Sequence, residues 1–349
     1  MFKNCHVIGP VTDPAKYFTQ PVPRGDRMFQ MSSSALKEFG ACPSRWVSGY
    51  ESPESKSKKH GSLIDCMAMS PEFFHKRYIM PPSTYQSEGM QCPQCKSVTD
   101  SAKCKKCGCE RVKVMVEKDW TPQSDTCQAW IEEQKANGLI VIYPDQHAEA
   151  KTAVDAIRRD SIISAFLDAS DKQVHVAGEW YDESTGLVIP VKCMIDAVPR
   201  NDTPFFKNIA DMKTTRNAAI MPWARQVFDM CYHVQGAFNF DLYRAARPKE
   251  DRCNFCHLVQ ENYPPFQTGR RILSETFMEL GRFEYERNLK NYCWCLKNKS
   301  WPDYDGTDEA IQGWSVTEPT PWMEGATAFA PKYETPEPVE ESVGDDVPA

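Results

Sequence analysis

No stretch of the 349-residue sequence stays apolar for the roughly 18 residues that a membrane span needs. The opening Met1-Phe2-Lys3-Asn4-Cys5-His6 lacks the hydrophobic segment of a secretory signal, so the sequence predicts a cytoplasmic protein with no membrane partner. Internal repeats are absent as well. Apolar content is not short: hydrophobic residues make up 41% and charged residues 26%, which supports a sizeable core and excludes wholesale disorder. At about 150 residues per domain, the length fits two domains or one decorated α/β domain.

An excess of positive charge is also missing. The net charge is −7, but 12 of the 48 acidic residues lie in 303–349, against a single lysine. Residues 1–302 therefore carry 40 basic and 36 acidic side chains, a mildly basic body that permits a local DNA groove without demonstrating one. The Pro-, Glu- and Asp-rich residues 305–349 read as an acidic, largely disordered tail.

Cysteine is abundant, with 15 residues. In a chain with no export signal, metal binding is a better default than a disulfide framework. Cys92-Pro93-Gln94-Cys95 and Cys104-Lys105-Lys106-Cys107 form two knuckles that can place four thiolates around Zn²⁺. Residues 88–112 thus read as a zinc-ribbon-like insertion that needs a metal staple, with Cys109 a substitute ligand. Lys103, Lys105, Lys106, Arg111 and Lys113 could meet phosphates there.

Residues 1–31, with four prolines, read as an extended arm. Periodicity then predicts helices at 35–39, 62–69, 124–136 and 145–167, and strands at 139–143, 173–181, 187–198 and 206–214. A helix over 222–243, a strand over 254–260 and a helix over 271–289 complete an α/β pattern. Alternation puts Leu187, Ile189, Val191, Cys193, Ile195 and Ala197 on one apolar face and sends Asp196 to the other. Asp211 and Lys213 share a face of the next strand. Two carboxylates and an amine converging at the end of a sheet suit Mg²⁺ or Mn²⁺, with the lysine orienting or deprotonating an attacking water. The plainer alternative is two strand-terminal aspartates and a surface ion pair.

Several short stretches run in one order along the chain: Ser32-Ser33-Ser34-Ala35-Leu36-Lys37, His60-Gly61-Ser62-Leu63-Ile64-Asp65, Glu179-Trp180-Tyr181, Met194-Ile195-Asp196, Ile209-Ala210-Asp211-Met212-Lys213 and Tyr232-His233-Val234-Gln235. With Ser70-Pro71-Glu72-Phe73 and Trp301-Pro302-Asp303-Tyr304, they resemble the PD-(D/E)XK nuclease superfamily, within it the RecE-type exonucleases of phages and prophages. The resemblance implies a restriction-endonuclease-like core over 32–304, a central mixed sheet flanked by helices, interrupted by the cysteine insertion. It makes Asp196 and Asp211 Mg²⁺ ligands and Lys213 the catalytic lysine, with Glu179 a supporting acid. Gln235 and Tyr232 would position DNA or the metal's surroundings, and Lys192, Lys105 and Lys106 would contact DNA.

Two positions depart from the family's pattern. Asp65 stands where a histidine ligand is expected, leaving a carboxylate for the metal, and Asn239 stands where a tyrosine is expected. The activity implied is Mg²⁺-dependent 5′ to 3′ resection of duplex ends by a homo-oligomer that serves a single-strand annealing protein. The alternatives are a RecB-like nuclease acting on single strands or flaps, and a catalytically impaired DNA-binding or scaffold protein. Related nucleases hold an iron-sulfur cluster, for which Cys42, Cys253, Cys256 and Cys293 or Cys295 are candidates; their spacing departs from the family's, so zinc is preferred. His233 and His257 read as ordinary polar residues.

Overall fold

A computed structural model of the chain describes residues 1–11, 17–18, 21–51, 53, 55–99 and 101–304. Met1–Trp301 form one compact unit; of the second, Pro302–Ala349, only the first three residues are described, so the acidic tail lies outside the described residues. No helix among the described residues is long and apolar enough to cross a membrane.

The main sheet is built around two long antiparallel strands, β8 (Ser170–Tyr181) and β9 (Val188–Pro199), closed by the Asp182–Gly186 turn. Asp182 fixes that turn by accepting from Thr185 N (2.9 Å) and Ser184 Oγ (2.7 Å). β1 (Phe2–Pro10) pairs with β8 on the outer edge. The extended arm is partly a strand of the sheet: its backbone finds ladder bonds, and Phe2 packs edge-on against Trp180. Beyond β9 follow β10 (Asn208–Thr215), β11 (Asn254–Glu261, parallel to β10) and β12 (Thr268–Ile272). β2 (Met31–Ser32) also runs along β9.

Each face of the sheet carries its own apolar core. On one lie the short helix α1 (Ser33–Ala41) and α2 (Pro43–Val47), whose Leu36, Phe39 and Trp46 are almost fully buried. On the other lies α3 (Lys56–Met69), with Leu63 and Ile64 buried against Ala197, Ala210 and Met212. A 3₁₀ turn (Pro71–Phe73), α4 (Phe74–Arg77) and β3 (Tyr78–Ile79) lead from α3 to the cysteine hairpin, β4 (Thr84–Gln91), β5 (Val98–Thr99) and β6 (Val112–Asp119). Then come α5 (Asp125–Ala136) and β7 (Ile140–Val141).

Two expected helices are divided and a third starts later. The helix expected over 145–167 is α6 (Pro144–Arg159) and α7 (Ser161–Asp168), because Asp160 leaves helical geometry and caps Ile162 and Ile163 at 3.1 Å. The helix expected over 222–243 is α8 (Ile220–Asp229) and α9 (Tyr232–Ala246), parted at Cys231, which takes a left-handed φ of 52°. The helix expected from 271 begins later: Thr268–Ile272 is the edge strand, and α10 (Glu275–Asn298) starts at the Ser274 cap.

Candidate active site

The β9–β10 ladder is confined to the pair Ala210↔Ala197, and the two strands separate beyond it. Asp196 and Asp211 are the next residues on either side of this fork. Alternation breaks here: Ile195 and Val198 pack in the first core but Ala197 in the second, so Asp196 does not follow the simple two-face pattern expected of β9. Its Oδ2 accepts from Met212 N at 2.8 Å, holding β10 where the ladder has ended.

Asp211 is almost fully buried between two donors. Lys213 Nζ bonds its Oδ2, and Gln235 Nε2 on α9 donates to its Oδ1 at 3.0 Å. The Lys213 ammonium also lies 5.1 Å from the Tyr232 ring centre. α9 thus turns polar side chains toward the sheet: Asn239 Nδ2 reaches Met194 O at 3.4 Å, strapping the helix two residues before Asp196. Tyr243 Oη donates to Glu250, in the loop after the helix, at 2.8 Å.

Asp65 arrives from the opposite layer. Gly61 makes this possible, since a Cβ there would stand 2.9 Å from Thr214 Oγ1; one helical turn later, Asp65 falls on the face turned to β10. Its Oδ1 is shielded from solvent and has no hydrogen-bond partner. Burial raises the Asp65 pKa to about 6, with help from the Asp211 charge and against Lys213 and Arg77. Burial, then Asp211 and Asp65, push Asp196 well above the carboxylate range. Burial alone would lower the Lys213 pKa, but Asp211 and Asp196 outweigh it and hold the amine protonated.

Three carboxylates with one lysine leave the site short of positive charge, and the orphaned Asp65 oxygen lacks a donor that a cation would replace. This hard-oxygen set fits a divalent ion such as Mg²⁺. Among the described residues, the one group of three or more Cys, His, Asp or Glu side chains already gathered closely enough to share an ion is the cysteine cluster.

Two expected site residues belong elsewhere. Glu179 pairs in register with Pro190, six positions along the ladder from Asp196, and accepts from Asn4 Nδ2 at 2.6 Å; it serves the β1 edge. Lys192 is buried, donates to Tyr17 O at 2.6 Å and lies 4.7 Å from the Tyr17 ring, so it offers no free charge to DNA. Between the pairs Lys172↔Ala197 and Val174↔Ile195, the residue facing Asp196 along the ladder is Gln173, buried with a left-handed φ of 50° and an unpaired side-chain oxygen. His257 sits beside Asp211 in the parallel ladder; burial, and Lys213 after it, lower its pKa to about 3 and keep it neutral. Neither could be found without the register.

In the insertion, Cys92, Cys95, Cys104 and Cys107 bring their sulfurs together. Knuckle bonds shape each loop: Cys95 N donates to Cys92 Sγ (3.4 Å) and Gly108 N to Cys104 O (2.8 Å). Cys109 Sγ lies 3.1 Å from Cys92 Sγ. Lys103, Lys105 and Lys106 are exposed, whereas Arg111 is buried and clamps Ser97 O and Met90 O, and Lys113 pairs with Glu88. The candidate iron-sulfur cysteines do not converge: Cys256 packs in one core, Cys293 and Cys295 in the other, and Cys253 is exposed.

Residues 32–313 match the family described as "PDDEXK-like domain of unknown function (DUF3799)". No curated protein matches the sequence. Among solved structures, a protein of Eubacterium rectale described as a "putative exonuclease" is similar at a TM-score of 0.51 and 14% identity, covering 92% of this chain and 100% of its own. Rai1 of Scheffersomyces stipitis aligns over 79% of this chain and 68% of its own, at 10% identity and a TM-score of 0.24 that carries no argument. With the forked sheet and its Asp196, Asp211 and Lys213 inside the matched region, the chain belongs to the PDDEXK-like family.

Proposed function

We propose that the chain is a metal-dependent nuclease that hydrolyses DNA phosphodiester bonds, acting as an exonuclease on duplex ends. The observation that carries this reading is the fork itself, where buried Asp196 and Asp211 and half-buried Asp65 surround Lys213 and one carboxylate oxygen has no protein partner. Asp65, Asp196 and Asp211 would hold the divalent ion, which when bound supplies Lewis-acid stabilisation of charge on the scissile phosphate. In the metal-free protein Asp211 and Asp196 hold the proton on Lys213 Nζ, and the amine would orient the attacking water. Gln235 fixes the Asp211 carboxylate, and the Tyr232 ring restrains the Lys213 ammonium. The cysteine cluster would hold a structural Zn²⁺ that folds the insertion. By resemblance, the enzyme would be a homo-oligomer generating 3′ overhangs for an annealing protein.

Digestion of end-labelled linear, circular and single-stranded DNA in Mg²⁺ and in EDTA tests the reading. Labelled mononucleotide release from linear duplex only, abolished by EDTA, is the expected result. Cleavage confined to single strands would select the RecB-like alternative, and DNA binding with no cleavage would select a binding protein that has kept the fold.

A further inference from the structure

We propose that the outer face of α10 is a docking surface for single-stranded DNA, on which Phe283 and Trp294 stack bases and Arg287, Lys290 and Lys297 meet phosphates. The proposal rests on the nuclease reading for the source of the strand, the one left unpaired when its complement is digested, and it adds a surface outside the fork.

The helix is fixed from within. Arg282 and Tyr285 bind Asp241 of α9 at 3.0 and 2.8 Å, and Tyr292 donates to Asp26 O at 3.0 Å while its ring packs edge-on against Phe39. Met278, Leu289, Cys293 and Cys295 are buried in the first core. The opposite face is uncovered among the described residues: Phe283 is 64% and Trp294 48% exposed, and Arg287, Lys290 and Lys297 are exposed beside them. At 3.6 residues per turn these five fall within an arc of about 80° and along about 21 Å of helix. The Arg287 guanidinium lies 5.8 Å from the Phe283 ring centre.

Charge is divided along α10. Its acids, Glu275, Glu279, Glu284 and Glu286, all precede Arg287, and two are taken: Glu275 pairs with Arg282 and Glu284 with His233. From Arg287 to Lys299 there are four cations and no acid, and Arg287, Lys290 and Lys297 form no ion pair among the described residues. The helix dipole favours cations only within the last turn, so it accounts for Lys297 but not for Arg287 or Lys290, nor for a half-exposed tryptophan among them. A second copy meeting this face about a two-fold axis would set like charges against one another. A single strand of DNA instead brings phosphates to the cations and unstacked bases, each with a π-face, to the two rings. A duplex offers the phosphates alone, since its bases are already stacked.

The test is binding of a fluorescently labelled oligo(dT) of about 15 nucleotides to the full chain, with Ca²⁺ replacing Mg²⁺ so that the strand stays intact, beside a blunt duplex of the same length. Trp294→Ala should weaken oligo(dT) binding about five- to a hundredfold without changing its salt dependence or the affinity for duplex, while Trp294→Phe retains most of the affinity. Lys290→Ala should lower the slope of log K against log salt by about 0.7, the value for one phosphate contact with a single strand. Circular dichroism and sedimentation check fold and oligomeric state, and Lys290→Ala keeps the test standing should Trp294→Ala misfold. Wild-type oligo(dT) affinity in Trp294→Ala or a wild-type slope in Lys290→Ala overturns the surface, as does absence of oligo(dT) binding by the wild type. An equal loss on the duplex, or a changed oligomeric state in Trp294→Ala that gives the face to a second copy, overturns it too. Loss of oligo(dT) binding in variants of a wild type that never cleaves DNA in Mg²⁺ would uphold the surface and remove the nuclease reading.

Discussion

The two metal-suited regions of this protein are assembled in opposite ways. The cysteine cluster draws its four thiols from Cys92 to Cys107, on loops closed by their own backbone hydrogen bonds and clamped by Arg111. The carboxylate fork draws on Asp65, Asp196, Asp211, Lys213 and Gln235, delivered by α3, β9, β10 and α9 from both faces of the sheet. A local site can form and dissolve with its own hairpin; a distributed one exists only while both cores hold the layers in place. On the proposed reading the first would depend on metal to fold, whereas in the second folding would precede metal and cost buried charge.

That contrast can be broken most sharply at Lys213. Lys213→Ala should lower DNA cleavage about a thousandfold or more while leaving the zinc content near that of the wild type. Full activity in this variant would place the chemistry elsewhere. Cys95→Ser should do the reverse: from about one zinc per chain in the wild type, metal analysis should find little, and amide exchange should rise over 88–112 but stay low in the sheet. Iron with visible absorbance in the wild type, or exchange spreading into β9 and β10, would contradict the local character of the cluster.

Gly61 sharpens the comparison from the distributed side. Gly61→Val forces a branched side chain against Thr214 and should move Asp65 away, reducing cleavage about ten- to a hundredfold with zinc retained. Unchanged cleavage would show that Asp65 is dispensable. The smallest effect is the pH dependence of stability without divalent ions. Asp65 titrates near 6 in the fold against a usual value of 3.8, so the native state binds more protons than the unfolded state between about pH 4 and pH 6. Its stabilising contribution is present below that window and lost as pH rises through about 6. The thermal midpoint of EDTA-treated protein should therefore fall between about pH 4 and pH 6, and Asp65→Asn should flatten that fall. An equal fall in both proteins would remove Asp65 as the cause.

Period and spacing made much of this molecule legible. Strands β8 to β11 follow from runs of Val and Ile bounded by turn residues, and the knuckles from cysteine spacing alone. The Asp211-x-Lys213 pair needed only the rule that i and i+2 share a strand face. Boundaries failed where a single residue changed the backbone, as at Asp160 and Cys231, since capping and a left-handed φ leave the apolar period almost intact.

What the sequence by itself determined is therefore local: which segments are strands, which helices carry an apolar face, and which thiols can share an ion. Which strand lies beside which, and in what register, was decided by the tertiary structure. Nothing in the spacing of Glu179 and Lys192 distinguishes them from site residues, yet the ladder carries Glu179 six positions past Asp196, and Tyr17 closes over Lys192. Equally, nothing local marks Gln173 or His257, which reach the fork through strand pairing. The physical reason is range: side-chain period acts over a few residues, whereas register and layer packing are set by burying both faces of one sheet at once.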